Sequence, residues 1–115
     1  MDIFNLFLVV DELKKRISSV QVDEEKARRI ASEILAEGKP EEALALLASI
    51  AARVLVKAAA SWEHPCHCSP ERVQSRISAM CAAITQLVAS YAPSLAREAC
   101  EERSRECQPA QTLYT

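Results

Sequence analysis

The residues with the most chemical potential fall in one short stretch, Glu63-His64-Pro65-Cys66-His67-Cys68, and in three further cysteines, Cys81, Cys100 and Cys107. Imidazoles and thiolates are zinc ligands, so His64, Cys66, His67 and Cys68, completed by the distant Cys107, form one conceivable metal set. The spacing argues against it. Structural zinc sites commonly use Cys-x(2–4)-Cys, whereas this is Cys-x-Cys behind a stiff proline, with no second ligand pair at a matching distance. A redox-active thiol is a further alternative, and disulfide or inert structural roles are preferred to both. Serine-histidine-acid order, a phosphate-binding loop and a carboxylate pair in an apolar setting are all missing from the sequence. The chain therefore reads as non-enzymatic, with no catalytic residue, cofactor, resident metal or small-molecule substrate expected.

The elements that carry these groups are expected to be helices throughout. Half of the 115 residues are apolar, yet only five are aromatic, and Gly38 is the one glycine. An aliphatic core and a backbone with almost no position free for positive φ favour an all-α domain. A single domain of this length buries roughly 65% of its unfolded surface. We expect a small bundle of about five helices over residues 1–107, arranged around a central Ala/Leu-rich helix at about 40–62, with residues 108–115 as a tail.

That central helix has an unusual composition. Sixteen of the twenty residues from Ala43 to Trp62 are apolar, and the exceptions, Ser49, Arg53, Lys57 and Ser61, recur every four positions as one narrow stripe. Its length raises the possibility of a membrane span. Arg53 and Lys57 near the centre would each cost about 2.5–3.5 kcal/mol on insertion scales, so a buried helix is the reading taken.

Around it, a first helix is expected over 3–18 with Asp2 as cap and a seam of Ile3, Leu6, Val10, Leu13, Ile17 and Val20. Phe4, Phe7 and Leu8 widen the seam beyond what a core face needs, which marks them as candidates for a partner surface. A second helix opens at Asp23-Glu24-Glu25 and presents Ala27, Ile30, Ala31, Ile34 and Leu35; Gly38 is expected to cap its end. The run Gly38-Lys39-Pro40-Glu41-Glu42-Ala43-Leu44 resembles the turn of a tetratricopeptide-type hairpin. The likeness extends over about thirty residues, lacks that repeat's aromatic positions and has no second copy, so it implies a helical hairpin rather than a repeat array.

Ser69-Pro70-Glu71 starts a fourth helix whose apolar face is Val73, Ile77, Met80, Cys81, Ile84, Leu87, Val88 and Tyr91. Pro93 is expected to end it. A fifth, about 94–107, has only a thin apolar stripe and a Glu101–Arg105 pair at helical spacing. If it folds back from a bend near 91–93, Cys81 and Cys100 lie about 15 Å and 11 Å from that bend, at ~1.5 Å per residue, and a bridge between them becomes possible. Cys107 would then approach Cys66 and Cys68. Disulfide reinforcement of the bundle is the resulting expectation.

Two function classes follow. The first is a helical interaction or assembly module that self-associates as a subunit, adaptor or structural shell component, with Leu113 and Tyr114 docking the tail on the bundle or a neighbour. The second is a nucleic-acid-binding coat or accessory subunit, with Lys14, Lys15, Arg16, Lys26, Arg28 and Arg29 as phosphate contacts. Interleaved acids weaken the second, because residues 1–37 hold six basic and eight acidic side chains and the whole chain has a net charge of −2. The expected setting is intracellular, without signal peptide or transmembrane segment. Scarce Gly and Asn would suit a thermophile or its virus.

Overall fold

A computed structural model describes residues 3–36 and 38–107 and is helical, with no strand among them. Four α-helices follow one another: α1 (Ile3–Ser18), α2 (Glu24–Leu35), α3 (Pro40–Ser61) and α4 (Pro70–Arg105), with a short 3-10 turn at Pro65–His67. The starts obey local chemistry. Asp23 accepts a hydrogen bond from the Lys26 backbone N–H at 3.1 Å, and the Ser69 hydroxyl accepts one from that of Arg72 at 3.2 Å. Pro40 and Pro70 occupy first-turn positions where a missing N–H costs nothing.

Two expectations are corrected at helix ends. The second helix ends at Leu35 with Ala36 as a right-handed cap, and Gly38 does not take positive φ. Gly38 instead lies against the Glu42 side chain, in space that a Cβ would fill. The fourth and fifth expected helices are one helix of 36 residues that runs through Pro93. A proline forfeits one backbone bond and crowds the preceding turn. Here the strong helix formers on either side, including Ala92, Leu95, Ala96, Arg97 and Glu98, keep the helix going. The hydroxyls of Ser90 and Ser94, one on each side of the proline, donate to the Leu87 and Tyr91 carbonyls of the preceding turns. Further along, Arg105 Nε donates to the Glu101 carbonyl at 3.4 Å rather than to its carboxylate, and the ion pair formed is Arg103–Glu106 at 3.1 Å.

The packing order is linear. Helix α1 packs on α4, α4 on α3, and α3 on α2, and no other pair of the described helices is in contact. The expected central helix, α3, contacts α2 and α4, and it shares the middle of the order with α4, which touches both α1 and α3. Helix α4 does so with two faces. Ala79 and Ala83 meet Val10, Leu13 and Ile17 of α1, while Val73, Ile77 and Met80 meet Leu55, Ala58 and Ala59 of α3. Leu13 joins the two clusters. Small residues allow the close approach: Ala59 and Ala83 are fully buried.

Most of the apolar surface stays uncovered. The radius of gyration is 19.0 Å, against about 13 Å for a compact domain of this length. Beyond Leu87 every described residue of α4 is exposed, and α2 has no buried residue at all. Helices α3 and α4 are each long and apolar enough to cross a membrane, and only 11% and 22% of their most apolar windows are buried here. They are not the enclosed core helices of a finished bundle.

Candidate functional site

The best-formed concavity lies where α1 crosses the first half of α4, closed at one end by Trp62 and Glu63. It is a cleft of about 960 Å3 with Leu8, Val9, Leu13, Trp62, Ala79 and Met80 as apolar walls and Glu12, Arg16, Glu63, Arg72, Ser75 and Arg76 as polar ones. Glu63 organises it. The residue follows the α3 C-cap, Trp62, and its side chain is only 4% exposed.

Both carboxylate oxygens are engaged. Arg72 Nε donates to Oε1 at 2.6 Å, and Arg76 donates to Oε2 from Nε at 3.1 Å and from Nη2 at 2.7 Å. Arg72 and Arg76 can do this together because a spacing of four puts them on one face of α4. The hydrogen bond from Arg72, then that from Arg76, holds the Glu63 carboxyl below its usual range against the opposing effect of desolvation. The shielding comes from the two guanidinium groups, which are themselves partly exposed. A carboxylate ionised and occupied in this way has no proton to give and no free oxygen to receive one. It ties the end of α3 to the start of α4. Beside it the Arg16 guanidinium lies over the Trp62 ring at 5.9 Å, which brings α1 to the same corner.

This cluster was not among the expected site residues. The available signal was a lone acid after the α3 helix and two arginines one turn apart in the next helix; nothing local said that they meet.

The cysteine loop is a capped turn. The His64 Nδ1 accepts the Cys66 backbone N–H at 3.1 Å, and the His64 and His67 rings sit 5.4 Å apart and tilted. Among the described residues no three His, Cys, Asp or Glu side chains converge so as to hold a metal ion. Cys66, Cys68, Cys81, Cys100 and Cys107 are all free thiols and exposed, so the expected disulfide reinforcement is corrected. The reason is Pro93. With no bend there, Cys81 and Cys100 stand nineteen residues apart on one helix, about 28 Å by helical rise, whereas a bridge needs Cα atoms within about 7 Å.

The other candidates separate. Phe7 and Leu8 are two-thirds exposed on α1. Leu113, Tyr114 and the Phe4 side chain lie outside what is described. Lys14, Lys15 and Arg16 are on α1 and Lys26, Arg28 and Arg29 on α2, two helices that do not touch. Lys15 pairs with Asp11 at 3.1 Å and Arg16 faces the cleft. No known protein family, curated protein or solved structure matches this chain.

Proposed function

We propose that the chain is a non-enzymatic helical interaction module that self-associates, as a subunit, adaptor or structural shell component of a larger assembly. One observation carries the reading. The accessible surface is 9800 Å2, whereas a folded monomer of 12.7 kDa exposes about 6,200 Å2. Setting aside about 1,750 Å2, the most that eleven fully exposed residues contribute, leaves an excess of about 1,800 Å2. A standard interface needs only about 800 Å2 from each partner. The surplus is apolar in large part, with Leu44, Leu47, Val54, Val88 and Leu95 all about half exposed or more. Exposed large apolar side chains in such number mark surface meant for a partner.

The phosphate-binding reading draws less support, because its six basic residues sit on helices that do not meet. Sedimentation equilibrium in reducing buffer tests the proposal. Mass at a multiple of 12.7 kDa, falling on dilution, supports it; a monomer at every concentration that stays elongated and soluble overturns it. Loss of the assembly in high salt rather than on dilution would point to charge instead of apolar burial.

A further inference from the structure

We infer that the α2–α3 hairpin of one chain packs against the same hairpin of a second copy, completing a four-helix arrangement across a two-fold axis. The inference rests on the self-association reading and specifies its surface.

Helix α2 cannot be held by what this chain supplies. It has twelve residues, six of them charged, and no buried side chain. Helices that short are marginal in water and depend on packing of their apolar face. That face exists: Ile30, Ile34 and Leu35 follow helical spacing, yet Ile30 and Leu35 are exposed. Near the turn of the hairpin only Ile34, in part, and Ala43 are buried; the other buried positions of α3, Ala59 foremost, lie in its second half, toward the end that α4 covers.

Helix α3 repeats the pattern. Ala43, Leu47, Ile50 and Val54 recur at steps of four, three and four, the spacing of a helix-packing seam. Beyond Ala43 that seam is open, with Leu47, Ile50 and Val54 at 49%, 38% and 62% exposure. Helix α4 takes a different face of α3, through Leu55, Ala58 and Ala59. The seam is apolar from Ala43 to Val54, and the next steps of three and four bring it to Lys57 and Ser61 of the polar stripe; Arg53 Nη1 donates to the Ser49 carbonyl at 3.1 Å.

An uncovered apolar stripe on each of two adjacent helices calls for a cover two helices wide. A lipid phase suits α3 by length but not α2, which spans only about 18 Å at 1.5 Å per residue and is half charged. The eight residues after Cys107 bring only Leu113 and Tyr114 as large apolar side chains, too few for the seam and α2 together. A second hairpin presents the same two stripes, and a two-fold axis makes such a surface complementary to itself.

The test uses the full chain in reducing buffer, comparing wild type with Leu47→Glu, Val54→Glu and, as a control on α4, Val88→Glu. All three positions are exposed within one copy, so each variant keeps α1, α3 and α4, and any loss of helix content by circular dichroism in L47E and V54E does not exceed the twelve residues of α2. The expected result is a dimer whose dissociation constant rises at least about tenfold in L47E and in V54E, the cost of about 1.4 kcal/mol or more, and stays within about twofold in V88E. Hydrogen exchange then shows α2 amides protected in wild type and unprotected in L47E. Wild-type-like association of L47E and V54E, or weakening by V88E alone, overturns the hairpin interface while leaving self-association standing. A wild type that is monomeric throughout overturns both. Partition of wild type into phosphatidylcholine vesicles with α2 amides unprotected overturns the inference in favour of lipid.

Discussion

Glu63 and Arg76, thirteen residues apart, are joined by two hydrogen bonds from one guanidinium to one carboxylate oxygen, at 3.1 Å and 2.7 Å. With Arg72 on the other oxygen, they fix the angle at which α3 hands over to α4. The same corner lies beside the Trp62 ring, over which the Arg16 guanidinium of α1 sits at 5.9 Å.

The Glu63 carboxyl is held below its ordinary 4.5 by Arg72 and then Arg76. A group whose folded value is depressed contributes stability that is complete above the unfolded value and is lost as pH falls through the folded one. Glu63→Gln keeps the shape and removes the charge. Thermal melts should show E63Q less stable than wild type at neutral pH, with the gap closing as the pH drops below 4.5. A gap that is constant with pH would mean that the charge is not what stabilises the corner.

Ala83 is fully buried between α4 and α1, whereas its neighbour Ile84 is exposed. Ala83→Leu should therefore cost about 1–3 kcal/mol by overpacking and accelerate amide exchange in α1. Ile84→Ala should stay within about 0.5 kcal/mol in denaturant titrations of the monomer. Reversal of that order would place α1 on the wrong face.

The thiols offer a chemical check. All five are exposed, so native protein that has been reduced and then freed of reductant should react with an aromatic disulfide reagent at five sites without denaturant. After diamide treatment and tryptic mass mapping, a Cys81–Cys100 linkage within one chain should be missing. Its appearance would require α4 to bend at Pro93.

The two helix caps should report on different things. Removing either cap should cost about 1 kcal/mol. Ser69→Ala weakens the start of α4, on which α1 and α3 both pack, and should lower the melting temperature of the whole domain. Asp23→Ala acts on α2, which packs only on α3 and buries nothing, so it should speed exchange along α2 and leave α4 protection unchanged. Equal loss of protection in both helices would contradict the linear packing order.

The sequence by itself determined where helices begin and which residues cap them, because capping bonds and first-turn prolines act between residues three or four apart. Asp23, Pro40, Ser69 and Pro70 do what their local chemistry dictates. The loss at Pro93 is also local, but whether the helix breaks there depends on whether anything rewards a bend. The thin stripe of 94–107 offers too little, and α4 continues. Choosing which apolar faces meet was left to the tertiary structure. The periodicity of α4 favours Cys81, Ile84, Val88 and Tyr91 equally with Val73 and Met80, and the fold buries the last two while adding Ala79 and Ala83. Those alanines carry little hydrophobic signal; they matter because a small side chain lets two helix backbones approach closely. The Glu63 corner is non-local for the same reason. Its partners lie nine and thirteen residues away across a turn, and only the packing of α3 on α4 brings them within hydrogen-bond reach.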